Sequence, residues 1–213
     1  MNCIRSVRSF VNRARKLSKY RQKIFDELWP KYGLDLLSNI TRNCIPLVLE
    51  IGFGDGDSLF DFAKQYPTKK FVGIEIHKPG VANLLSLLAK YPLNNIKVYC
   101  ENAVIILENC IVNGSIDEIF ILFPDPWPKK RHHKRRLIQP DFVELLYSKL
   151  KPQGLLNIVT DWKDYADYID TILTNHPGFT KLDIRINRTI ITKFEKKGKQ
   201  LGHRNFELLF KTN

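Results

Sequence analysis

Acidic residues are scarce in this sequence: 22 Asp and Glu face 34 Lys and Arg, leaving a net charge of +12 over 213 residues. That balance excludes an acidic solvating chain and points to a polyanionic partner. Cysteine is also sparse. Cys3, Cys44, Cys100 and Cys110 show no CxxC pair and no histidine at zinc-finger distance, which excludes a disulfide scaffold and a finger-type metal site. The basic N-terminus is followed by no apolar h-region, and no run approaches the ~18 apolar residues of a membrane span. A cytoplasmic protein with reduced thiols and no membrane contact is expected. Internal repeats and low-complexity linkers are missing too, so residues 1–213 read as a single domain. No obligate protein partner is evident, which leaves monomer or homodimer.

The positive charge is concentrated rather than spread. Eight basic residues, from Arg5 to Lys23, precede the first acid, Asp26. Six more lie in the run Lys129–Arg136, which contains only Lys, Arg and His. These two clusters exceed the total net charge, so a slightly acidic body carries two cationic patches, the footprint expected of a nucleic-acid-binding protein. Residues 1–16 lack periodicity and read as a basic arm. From Leu17 the spacing Leu17, Tyr20, Ile24, Leu28 predicts a helix that Pro30 should end.

Beyond Asn43, short apolar runs alternate with helical stretches. Strands are predicted at Leu47–Ile51, Phe71–Ile76, Ile96–Cys100, Ile119–Phe123 and Leu155–Thr160, with further candidates at Leu182–Ile186 and Phe206–Phe210. Helices are predicted at Ser58–Gln65, Val81–Lys90, Ala103–Cys110, Asp141–Leu150 and from Trp162 to about Thr174. This alternation implies βαβ units: an α/β fold with a parallel sheet covered by helices on both faces.

Ligands of such sheets bind at the carboxyl ends of the strands. Three features fall there in order. Glu50, Gly52, Gly54 and Gly56 form a glycine loop after the first strand of the alternating region, Glu75 ends the second, and Asn102 follows the third. A carboxylate at 75 suits ribose hydroxyls, and an amide at 102 suits an adenine edge. The loop reads GxGxG rather than the GxGxxG that opens a helix toward a pyrophosphate. Glu50 would repel a diphosphate but attract a sulfonium, which favours S-adenosylmethionine over NAD. Glu50 could equally cap backbone amides, and the two roles are compatible.

The fourth strand runs into FPDPWPKKRHHKRR, where Pro124 and Pro126 stiffen the backbone around one carboxylate, Asp125. Asp125 is either the acidic group of the reaction site or a structural turn residue. Asp161 either contacts substrate or caps a helix; Thr192 and Glu195, three apart, also spell a capping box. His132 and His133 read as phosphate contacts rather than metal ligands, and no metal is expected. Trp162 is expected to pack; Trp127 is left open between packing and base stacking.

The segments LEIGFGDG, FVGIEIHKPGV, ENAVIIL, FILFPDPWPKKRHHKRR, VTDWKDYA and TKFEKKGKQLGH resemble, in order, the motifs of the bacterial tRNA (guanine-N7)-methyltransferases, over about Arg8 to Phe210. The resemblance implies a Rossmann-like class I methyltransferase fold with a mostly parallel seven-stranded sheet. It implies S-adenosylmethionine as donor and guanosine 46 of the tRNA variable loop as acceptor. By position it implies cofactor contacts at Glu50, Gly52, Gly54, Glu75, Asn102 and Asp125, with Asp125 catalytic. Lys129, Asp161, Thr192 and Glu195 resemble substrate-binding positions. Arg131, His132, His133, Lys134, Arg135 and Arg136 resemble the RNA-contacting segment. Three alternatives remain: a nicotinamide-dependent dehydrogenase, which would need no cationic ribbon; an adenine amino-group methyltransferase, whose acid is followed by two prolines; and a tRNA-binding protein without transfer activity.

Overall fold

A computed structural model describes residues 16–183 and 204–213. Helix α1 (Lys19–Tyr32) leads into a two-residue strand β1 (Gly33–Leu34). There follow β2 (Leu47–Ile51), α2 (Asp57–Gln65), β3 (Lys70–Ile74), α3 (Lys78–Lys90), β4 (Ile96–Tyr99), α4 (Ala103–Cys110) and β5 (Ile116–Leu122). The cationic ribbon forms a short 3-10 helix, Lys130–Arg135, before α5 (Pro140–Lys149), β6 (Leu150–Thr160), α6 (Lys163–Thr174), β7 (Phe179–Lys181) and β8 (Phe206–Thr212).

Among the described residues these strands form one eight-stranded sheet, ordered β1-β4-β3-β2-β5-β6-β8-β7. All pairings are parallel except those of β8, which runs antiparallel to both β6 and β7. The sheet therefore has eight strands where seven were expected, and one not foreseen is β1, whose two residues pair with Val98 and Tyr99 at the sheet edge. It lies in the connector before Leu47, where no periodicity marks a strand.

Every residue of β2 is buried, as a strand covered on both faces requires. Its side chains alternate between two cores. Leu47, Leu49 and Ile51 pack with residues of α4, α5 and α6, whereas Val48 packs with α1, α2 and α3. Glu50 shares the face of Val48 and so points toward the α2 side.

Two local expectations fail. Helix α1 continues through Pro30 to Tyr32, because Asp26 and Pro30 both lie on the exposed side, where solvent can satisfy the carbonyl that Pro30 leaves unbonded, and Tyr32 is buried to 2% exposure. Tyr20, placed on the apolar face by spacing, is instead 72% exposed; the buried face is Ile24, Phe25 and Tyr32. The predicted strand Leu182–Ile186 extends outside the described residues, and the nearby strand observed is β7.

Candidate active site

Chain order reverses on either side of β2, which lies between β3 and β5. Such a switch point opens a crevice at the strand ends. In register, Glu50 and Ile51 lie beside Phe120 and Ile121. The sheet thus brings the glycine loop after β2 next to the Pro124–Pro126 turn after β5, although 67 residues separate them in sequence.

The glycine-loop side is tied down. The Glu50 carboxylate is buried, and its Oε1 accepts the Ser58 hydroxyl at 2.5 Å, in the first turn of α2. Glu75 accepts the Gly54 amide at Oε2 and the His77 amide at Oε1, both at 2.8 Å. Burial pushes the Glu75 carboxyl above its ordinary value, opposed by these two hydrogen bonds. The carboxylate expected to meet ribose hydroxyls thus also staples the loop to the end of β3, and its four lone-pair sites allow both tasks. Asn102 caps α4, its Oδ1 accepting the Val104 amide at 2.8 Å.

Gly52 and Gly54 have φ of +73° and +58°, and a Cβ at either would meet nothing within 4 Å. The loop therefore borders open space on the crevice. Gly80, which the motif reading did not single out, lets α3 touch the loop: a Cβ there would overlap the Gly54 carbonyl. Ile76 follows Glu75 and is 37% exposed, an apolar surface beside a carboxylate. Acidic and apolar groups in this order fit an adenosyl group carrying a positive sulfonium better than a diphosphate. Ser58, Ile76 and Gly80 were missed because no spacing separates them from ordinary helix or strand-end residues.

The β5 side is built differently. Phe123 and Trp127 take φ of +53° and +44°, values that bulky residues rarely adopt, at an expense of about 1–3 kcal/mol each. Asp125 lies between them. Its residue is exposed, yet the atoms crowded behind the turn desolvate its carboxyl and raise it above the usual carboxylate range. Phe123 donates its amide to the Val159 carbonyl at 2.7 Å, so the start of the turn is level with the end of β6.

Asp161 and Trp162 form the whole link between β6 and α6, and both are exposed. Trp162, expected to pack, is 40% exposed because this two-residue link carries it past the end of the sheet. Trp162 rather than Asp161 occupies the N-cap position of α6, and the Thr160 hydroxyl accepts the Trp162 amide. Lys129 is exposed at the start of the 3-10 helix. Thr192 and Glu195 lie outside the described residues.

The ribbon is not uniform. Arg131 and Lys134 are exposed, while His132, His133 and Arg135 are half-buried. Trp127 carries the Arg135 guanidinium 5.1 Å from its ring centroid and meets the His132 ring edge-on, so the ribbon itself packs on it. Desolvation, followed by repulsion from Arg135, Arg131, Lys129 and Lys134, lowers the His132 pKa. Arg136, expected among the RNA contacts, is only 1% exposed. Its guanidinium is withdrawn from solvent into a niche on α6 and cannot meet a phosphate there. Among the described residues no group of three or more His, Cys, Asp or Glu could hold a metal ion, and no helix is long and apolar enough to cross a membrane.

Comparison with known proteins agrees with this geometry. A methyltransferase family model matches residues 45–208. The tRNA (guanine-N(7)-)-methyltransferase of Nitrosococcus oceani is 44% identical over 215 residues, covering 97% of this chain and 91% of the relative. That of Edwardsiella ictaluri is 42% identical, covering 97% and 92%. Among solved structures, the 16S rRNA methyltransferase KamB aligns with a TM-score of 0.57 at 16% identity, covering 94% of this chain and 95% of the other. TrmN from Thermus thermophilus aligns at 0.58 and 13% identity, covering 91% and 48%. At such identities these two structures speak for the fold alone.

Proposed function

The chain belongs to the tRNA (guanine-N7-)-methyltransferase family, and from that premise we propose that it methylates N7 of guanosine 46 in the tRNA variable loop without a general base. The observation that carries this reading is the placement of Asp125. It is a lone exposed acid on a strained turn, at the switch point, between the glycine loop and the cationic ribbon.

When bound, S-adenosylmethionine supplies a methyl group on a sulfonium, whose in-line displacement returns the S–C electron pair to sulfur and forms the N–CH3 bond. Glu50, Gly52, Gly54, Glu75 and Asn102 are the residues that would hold it, with Asp125 at the edge of the same crevice. Guanine N7 carries an in-plane lone pair and no proton, so the protein has no proton to remove. Its tasks are to position the base and to offset the positive charge that moves onto the purine. Asp125 is suited to accept hydrogen bonds from the N1–H and N2 amino edge of guanine, which strengthen as the ring becomes cationic. Partial burial leaves its carboxylate poorly solvated, which raises its pKa, so a hydrogen-bond donor arriving there replaces little water.

Lys129, Asp161, Thr192 and Glu195 are assigned to the tRNA nucleotide, and Arg131 and Lys134 to phosphates. Phosphate contacts fix register without reading sequence. Incubation with labelled S-adenosylmethionine and unmodified tRNA, followed by nucleoside analysis, tests the reading. Label in 7-methylguanosine that disappears when guanosine 46 is replaced by adenosine is the expected result. Label in a methylated adenosine, or in another guanosine, would contradict it.

A further inference from the structure

Arg136 ends the ribbon yet turns away from it. A buried guanidinium is costly unless its hydrogen bonds are well placed. Here Nε donates to the Pro126 carbonyl at 2.9 Å, and Nη2 donates to Asp164 Oδ2 at 2.5 Å. His133 Nε2 lies 3.1 Å from the same Nη2. The plane rests on aromatic rings of α6, 4.7 Å from the Tyr165 centroid and 5.6 Å from that of Tyr168. The Tyr165 hydroxyl in turn accepts the Ile138 amide, closing the segment back on the helix. Arg136 therefore bridges one backbone carbonyl of the acidic turn and one side chain of α6.

We propose that Arg136 is a positioning residue that holds Asp125 in its working conformation, an inference that rests on the reading of Asp125 as the group facing the target guanine. The Pro126 carbonyl belongs to the peptide that joins Pro126 to Trp127, so the hydrogen bond fixes the plane just beyond the acid, and the locked proline φ passes that orientation back to Asp125. Without that bond the positive φ of Trp127, immediately after Pro126, has less to sustain it and the turn can relax. Two donors held in one rigid plane set both distance and angle between the turn and α6. A lysine ammonium has no such plane with two fixed donors, and gains no comparable stacking on the tyrosines. The anchor is sound because Asp164 is held ionised: the Arg136 hydrogen bond lowers its carboxyl pKa.

Arg136→Lys tests this with kcat, KM for S-adenosylmethionine and tRNA Kd measured together. The expected result is a fall in kcat of roughly 10–100-fold, as misplacement of a reacting group produces, with both binding constants within about twofold of the parent. A cycle with Asp125→Ala separates positioning from general support of the fold. If Arg136 acts through Asp125, then Arg136→Lys costs no further activity once the carboxylate is gone. Multiplicative losses in the double variant would overturn the proposal, as would an unchanged kcat in Arg136→Lys. Should circular dichroism show Arg136→Lys unfolded, Asp164→Asn takes its place in the same cycle and is judged by the same outcomes; the Asp164 side chain is 63% exposed, so its replacement disturbs no core. Full activity in Asp125→Ala alone would instead remove the premise about Asp125, and the proposal with it.

Discussion

The two walls of the crevice are built on opposite plans. On the β2–β4 wall, Glu50, Glu75 and Asn102 each satisfy groups of their own loops before any ligand arrives. On the β5–β6 wall, Asp125, Lys129, Asp161 and Trp162 are open to solvent, and the strain lies in the backbone beneath them. The contrast matches the ligands. A small cofactor is bound best by a preorganised cradle, since little ordering entropy is then lost on binding. A tRNA brings a large charged surface that can dock on exposed cations, provided the acid proposed to meet the base is held in place.

The contrast is broken most severely on the open wall. Asp125→Ala is expected to lower kcat by about 10²-fold or more, a loss typical of removing one preorganised polar group, while filter binding shows tRNA affinity largely kept. On the closed wall the reverse division is expected. Glu75→Ala should weaken S-adenosylmethionine binding by on the order of 1.5–3 kcal/mol, through loss of charge-assisted hydrogen bonds and release of the Gly54 amide. Calorimetry on the folded variant checks this, and unchanged cofactor affinity would remove Glu75 from the site.

The ribbon offers a comparison within one wall. Replacing exposed Arg131 and Lys134 by Gln should flatten the plot of log K against log salt by about 1.4–1.8 units, at 0.7–0.9 per lost phosphate contact. Replacing buried Arg136 by Gln should leave that slope unchanged. Equal slope changes for both variants would show the buried and exposed cations to be equivalent.

The smallest effect is on stability. Folding raises the Asp125 pKa from 3.8 by desolvation, so the folded protein binds this proton more tightly than the unfolded chain does. Stability then falls as pH rises through the window between the two values, and the deficit persists above it. Asp125→Asn should therefore melt higher than the parent at neutral pH and lose that advantage as the pH falls below 3.8. A lower melting temperature at neutral pH would assign Asp125 a stabilising role instead of a functional one.

What was legible in the sequence divides along the same line. β2 and α4 have the bounds that the apolar runs predicted, because a strand buried on both faces and a short apolar helix are local patterns. The order of motifs at strand ends was legible too, since the parallel fold carries each to one edge. The short β1 was not, because two residues carry no period. Arg136 was misread for a related reason: a side chain at the end of a cationic run looks like its neighbours until the fold supplies Pro126, Asp164 and Tyr165 around it. Pro30 failed as a stop signal because tertiary burial of Tyr32 outweighed local propensity.

The most direct test of the central claim replaces guanosine 46 by 7-deazaguanosine. This removes the N7 lone pair and keeps the N1 and N2 edge assigned to Asp125. The account predicts tRNA binding within about 1 kcal/mol of the normal substrate, since at most one acceptor contact is lost, and no transfer of label from S-adenosylmethionine. Methylation of the 7-deaza tRNA at the normal rate would contradict it.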